Sequence, residues 1–204
     1  PLEATLLMMG LSSLMAWLEI LRETRNDPVL IEELEKDIRR LEKITARFSK
    51  IGSQPQLESQ NLFEILNNSI NYIKSRVPKT IEITTVFPEN ETIFIPINSE
   101  LFEWVIENIC KNAVDAIGEK GKIIVSAGSS QGSVFIDISD NGKGIPKAHH
   151  KTVFSPGYTT KNRGWGLGLS LAKRIVEQYH RGKVFVKHSE PGIGTTFRIV
   201  FRKD

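Results

Sequence analysis

A single cysteine among 204 residues leaves no partner for an internal disulfide. Cys110 falls within an apolar helical pattern, so a buried thiol in a reducing compartment is its expected state, with no support for a nucleophilic role. No run reaches the roughly 18 apolar residues that a membrane-spanning helix needs. The apolar opening PLEATLLMMGLSSLMAWLEIL lacks a basic start and carries Glu3 and Glu19, so it reads as an interface helix rather than a secretory leader. Neither sign of charge dominates: 27 Lys and Arg are interspersed with 24 Asp and Glu, for a net charge of +3. A nucleic-acid surface is therefore not indicated. No G-x-x-x-x-G-K-[ST] stretch occurs, which excludes a Walker-type phosphate loop. Internal repeats and low-complexity tracts are also lacking.

What is present begins with helical periodicity. Leu7, Leu11, Leu14, Leu18 and Leu21 alternate in four and three spacing, which places them on one stripe. The stripe stops at RNDP, where Asn26 or Asp27 can cap a new helix and Pro28 fits its first turn. Leu34, Ile38, Leu41 and Phe48 continue with heptad-like spacing, while Glu32 with Lys36 and Glu35 with Arg39 make i to i+4 pairs. Residues 1–54 are thus expected to form an antiparallel helical hairpin. One hairpin cannot cover both of its apolar faces, so a second copy completing a four-helix bundle is the natural solution, with packing on the rest of the chain as the alternative. Gly52 and Pro55 mark the boundary.

Residues 55–204 alternate helices and strands. NLFEILNNSINYIKSR and SELFEWVIENICKNAVDAI are amphipathic helices, the second opened by the cap candidate Ser99. TIEITTVF, TIFIPI, GKIIVSAG, SVFIDISD, GKVFVKH and GTTFRIVF read as strands, and GLSLAKRIVEQYH as a further helix. The expected fold class is α+β: a hairpin followed by an α/β sandwich on a mixed sheet.

Five stretches of this second region are suited to chemistry. Asn108 and Asn112 lie four apart, on one helical face, and are either ligands for a metal and phosphate oxygens or solvated surface. Asp140 ends a strand before Gly142 and Gly144. There it either accepts a hydrogen bond from an exocyclic amine such as that of adenine or sits in a plain tight turn. VFSPGYTTKNRG reads as a lid carrying Lys161 and Arg163, cations suited to a polyphosphate. Gly164, Gly166 and Gly168 precede a helix whose N-terminal amides suit an anion, a pattern that ordinary turns share. Gly192, Gly194 and Thr195 either complete a base pocket or form a hairpin.

In this order the first four stretches resemble the four signature boxes of the histidine kinase and gyrase-type ATPase superfamily: ENICKNAVDA, DNGKGIP, VFSPGYTTK and GWGLGLSL. The resemblance covers residues 58–204, and the preceding hairpin resembles the dimerisation and phosphotransfer domain of sensor histidine kinases. It implies a Bergerat ATP-binding fold with ATP and Mg²⁺ as cofactors. Asn112 would then ligate Mg²⁺, and Asn108 would assist it or the phosphates, acting in catalysis with Lys161. Asp140 would bind the adenine amine. Gly142, Gly144, Ile145, Leu167, Leu169 and Thr195 would join the nucleotide site, Tyr158, Lys161 and Arg163 would belong to the lid, and the three glycines would let it fold over ATP. A homodimer, a response-regulator receiver domain as partner, and a cytoplasmic location, free or within a membrane-anchored sensor, follow by the same resemblance. No membrane contact is expected from these residues themselves.

The pattern departs from the superfamily in two places. In an ungapped alignment Thr5 stands where the phosphoacceptor histidine belongs, Leu6 at the acidic or amide position and Gly10 at the proline position. The histidines present, His149, His150, His180 and His188, all lie in the ATPase region. A hydroxyl is a far weaker nucleophile than neutral imidazole at neutral pH. Self-phosphorylation is therefore doubtful, and a nucleotide-dependent interaction module without phosphoryl transfer is the alternative. Asp115 and Ala116 stand where many histidine kinases carry Lys and Tyr, an ending like that of the gyrase and chaperone branches. A hydrolytic ATPase of that kind would need a general base, for which Glu107 is the candidate because Asn108 holds the usual glutamate position.

Overall fold

The structure is a computed structural model that describes residues 14, 15, 18, 19, 21, 22, 31, 32, 34, 35, 38, 55–88, 91–161 and 166–202. The chain divides into two compact units, Pro1–Pro55 and Gln56–Asp204. In the first unit the described residues before Pro55 are helical. Leu18 and Ile38 are buried together, with Met15 and Ile31 packed against them. Arg22 Nη2 donates to Glu35 Oε2 at 2.6 Å. Thr5, Leu7, Leu11, Lys36, Arg39, Leu41 and Phe48, on which several expectations rest, lie outside the described residues.

The second unit runs β1 (Glu58–Asn61), α1 (Leu62–Lys74), β2 (Ile81–Val86), β3 (Phe94–Ile97), α2 (Ser99–Ile117), β4 (Gly121–Ser130), β5 (Ser133–Asp140), α3 (Gly168–Arg174), β6 (Lys183–Glu190) and β7 (Gly194–Arg202). Five strands make a mixed sheet in the order β2-β4-β5-β7-β6, and β1 pairs with β3 in a separate two-stranded ladder. Only the β2–β4 pair of the five-stranded sheet is parallel; its other pairs are antiparallel.

Period-two alternation explains the sheet. Val134, Ile136 and Ile138 of β5 are fully buried, while Phe135 and Ser139 face the other way. Against them α2 presents Phe102, Val105, Ile106, Ile109 and Ala113, spaced three and four apart and all buried. Cys110 shares that buried stripe, and burial pushes its thiol pKa up to about 12, as expected of an inert buried thiol. On the opposite face of the sheet, Asp137 is held by Arg198 through two bonds of 2.6 Å and by Lys187 at 2.9 Å. Burial alone would raise the Asp137 pKa, yet these cationic partners outweigh it and hold the carboxyl below its usual range.

Two boundaries differ from the sequence expectation. The residue that caps α2 is Asn98, one position before Ser99, and its Oδ1 accepts from Leu101 N at 3.1 Å. β1 was not foreseen; its polar residues form a strand because β3 offers an antiparallel edge. Beyond Arg174 the third helix continues through Tyr179 with wider i to i+5 bonding, and it ends where the His180 amide and Nδ1 both donate to Ile175 O.

Candidate functional site

The β5 strand delivers Asp140 to its buried end, and the loop after it is clamped from two sides. Lys143 N donates to Ala116 O at the end of α2, and Gly192 N donates to Lys143 O from the β6–β7 turn. Gly142 packs so closely that an added Cβ would lie 2.6 Å from the Ala116 carbonyl carbon. Gly144, at φ +71°, abuts the Glu190 carbonyl oxygen. The Asp140 carboxylate accepts from Gly142 N at 2.9 Å and from the Thr195 amide. Desolvation dominates over those two amides and raises the Asp140 pKa above the usual aspartate value. The result is a buried carboxylate held by two backbone amides, with Thr195 as its register partner on β7.

Asn108 and Asn112 stand one turn apart on α2, both half-buried. Asn108 Nδ2 donates back to Trp104 O at 2.9 Å, which turns its Oδ1 toward Gly168 at the start of α3; a Cβ added there would lie 3.1 Å from that oxygen. Asn112 Oδ1 accepts from Lys161 Nζ at 2.8 Å, and the same ammonium reaches Asp115 Oδ2 at 2.6 Å. Lys161 therefore ties its segment to α2. Gly157 N donates to Gly166 O at 3.1 Å, which brings these two backbone positions together. Gly166 makes that approach possible: its φ is +64° and a Cβ would strike the Gly157 and Tyr158 backbone.

The fold thus brings two groups into its ordered frame: Asp140, Gly142, Gly144, Ile145 and Thr195 on one side, and Asn108, Asn112, Lys161, Gly166 and Gly168 on the other. Tyr158 stacks obliquely on exposed His149, with ring centroids 5.8 Å apart. Leu167 is 43% exposed next to Gly166, and Leu169 is half-buried in α3. Arg163 and Gly164 lie outside the described residues. Sequence reasoning missed Ser189, buried between Ile145 and Thr195, and did not couple Asp115 to Lys161. Only strand register and lid position reveal them.

The profile of the histidine kinase-, DNA gyrase B- and HSP90-like ATPases matches residues 97–204. The chain belongs to that ATPase family. ATPase-family relatives include the sensor histidine kinase ZraS of Escherichia coli K12, 33% identical over 183 residues, covering 86% of this chain and 39% of ZraS. The signal transduction histidine-protein kinase AtoS of the same strain is 32% identical over 197 residues, 93% of this chain and 32% of AtoS. Among solved structures, the catalytic domain of the histidine kinase ThkA superposes with a TM-score of 0.65 at 27% identity, over 73% of this chain and 97% of that domain. The chain spans less than two fifths of AtoS and about that share of ZraS. The ATPase-family match takes in α2, the Asp140 loop, the lid and β7, the segments that build the candidate site.

Proposed function

We propose that this chain is the nucleotide-binding and dimerisation portion of a sensor histidine kinase, using Mg·ATP as phosphoryl donor. The observation that carries the proposal is the lid lysine seated on the asparagine helix, with Lys161 Nζ on Asn112 Oδ1 and Asp115 Oδ2. That pair of oxygens attracts a cation, so their chemistry fits a hard metal ion as well as an ammonium. Mg²⁺, when bound, would neutralise charge on the polyphosphate.

The chain's own residues do the rest by positioning. Asn112 Oδ1 is the metal ligand, with Asn108 Oδ1 one turn away toward Gly168. Lys161 exchanges Asp115 for the polyphosphate, a transfer between two anionic partners that keeps its charge paired. Asp140, held by two amides, accepts the adenine amine. Gly166 lets the lid swing, with Tyr158 and Arg163 moving on it.

In the first unit, the Leu18–Ile38 and Arg22–Glu35 pairs run in opposite directions along the sequence, which supports an antiparallel hairpin. Leu14 and Leu34 are 47% and 37% exposed, apolar surface that a second copy would cover in a homodimer. A response-regulator receiver domain is the partner by kinship with the sensor kinases, and the chain works on the cytoplasmic side of whatever sensor it serves. Phosphorylation of this chain itself is not expected. Thr5 takes the acceptor position, and buried His180 has both ring nitrogens engaged by backbone groups.

Calorimetric titration with Mg·ATP is the test. Wild-type protein binds, and Asp140→Asn weakens affinity about tenfold, as befits a lost charge-assisted hydrogen bond. Equal affinity for the two proteins would overturn the base-pocket assignment. Incubation with γ-labelled ATP should leave no acid-labile label; its appearance would restore an acceptor histidine.

A further inference from the structure

Asp140, Thr195 and Ser189 form one row across the end of the sheet. Thr195 is the register partner of Asp140 on β5 and of Ser189 on β6. All three are buried, at 9%, 3% and 8% exposure. Directly paired residues of antiparallel strands share a face, so their polar groups interact.

The hydrogen bonds of Ser189 have a direction that can be deduced. Its hydroxyl owns one proton and two lone pairs. Gly194 O, 3.0 Å away, can only accept, so it takes the proton. Ile145 N, 2.7 Å away, can only donate, so it occupies one lone pair. The remaining neighbour is Thr195 Oγ1 at 2.9 Å, and only a lone pair is left to face it. Thr195 must therefore donate its proton to Ser189. Its oxygen then has only acceptor capacity to offer elsewhere, next to a carboxylate that is also an acceptor.

We infer that Ser189 is a specificity-determining residue: by holding the Thr195 hydroxyl as a donor to itself, it keeps the base pocket acceptor-only and selects a 6-amino purine over a 6-oxo purine. The inference rests on the nucleotide-site reading given above. It differs from that reading in assigning part of the discrimination to a side chain that reaches the pocket through Ile145, Gly194 and Thr195. Ser189 is in this sense a positioning residue.

The test compares the affinities of the full chain for ATP and inosine triphosphate by calorimetry. Ser189→Ala frees the Thr195 hydroxyl to turn and donate to a 6-oxo group, so the ATP-to-ITP affinity ratio falls about fivefold, the worth of one neutral hydrogen bond. A loosened Ile145 loop would weaken both nucleotides alike and leave the ratio untouched. Ser189→Thr, which keeps one proton and two lone pairs, restores the ratio. Thr195→Val provides an independent check that does not depend on substituting Ser189: it lowers affinity for ATP and leaves that for ITP unchanged. A wild-type preference for ATP that survives intact in Ser189→Ala, or equal losses for both nucleotides in Thr195→Val, would overturn the inference and leave the nucleotide site standing. Absence of ATP binding by the wild type would overturn both.

Discussion

His180 Nε2 accepts a hydrogen bond from the Asn98 amide at 3.0 Å, tying the start of α2 to the end of the third helix. Asn98 caps α2 at the same time, and His180 Nδ1 donates to Ile175 O at 2.9 Å. With one ring nitrogen accepting and the other donating, the imidazole is neutral and its tautomer is set by its partners. The helices so joined are those that carry Asn108, Asn112 and Gly168. A proton added at Nε2 would break the link to Asn98.

This link makes stability dependent on pH. Burial depresses the His180 pKa below its usual 6.5, outweighing the bond to the Ile175 carbonyl that favours the charged ring. The unfolded chain therefore binds a proton at higher pH than the folded one. Stability is complete above the ordinary histidine pKa and falls as pH drops below it. Denaturant midpoints measured from about pH 7.5 to about pH 5.5 should fall, and fall less steeply in His180→Gln. Parallel slopes in the two proteins would show that His180 is not the group responsible.

Lys161 and Asp115 form an ion pair whose side chains are 35% and 37% exposed. A pair this open is worth under about 1 kcal/mol to folding. Lys161→Ala should therefore leave the unfolding midpoint almost unchanged while lowering ATP affinity about tenfold through loss of a charge-assisted contact. Asp115→Asn, by contrast, releases the ammonium and should not weaken ATP. Calorimetry of the two variants separates a lid that serves the nucleotide from one that merely braces α2.

Gly142 is a tight constraint on the Asp140 loop. An alanine methyl would stand 2.6 and 2.7 Å from the Ala116 carbonyl carbon and oxygen, which belong to a packed helix and cannot swing aside. Gly142→Ala should cost about 2 kcal/mol of stability and weaken ATP binding by displacing Asp140. Gly132→Ala is the control. Gly132 sits at φ +72° with open space around it, so its strain of about 1 kcal/mol should leave nucleotide affinity intact. Thermal melts and ATP titrations on both variants check the contrast.

Much of the second unit was legible from period alone. Phe102, Val105, Ile106, Ile109 and Ala113 declare a buried helical stripe, and Val134, Ile136 and Ile138 a buried strand face, because burial follows the 3.6 and 2.0 residue repeats. The order of Asn108, Asn112, Asp140, Lys161 and Gly166 along the chain marks the candidate site by residue type and spacing. What local pattern did not decide was the choice between equivalent residues. Asn98 and Ser99 can both cap a helix, and the cap fell to Asn98, whose backbone amide is engaged by His180, 82 residues away. β1 has no apolar alternation, and it became a strand because β3 left an edge to pair with.

The sequence by itself determined the family, the order of the second unit's helices and of its strands other than β1, and the polar residues available to the site, since these depend on residue type and spacing. Tertiary structure decided that Lys161 meets Asp115, that Ser189 stands beside Thr195, and which way the proton between those two hydroxyls points. Such choices depend on groups brought together from distant strands, and hydrogen-bond direction belongs to the assembled set rather than to any one residue.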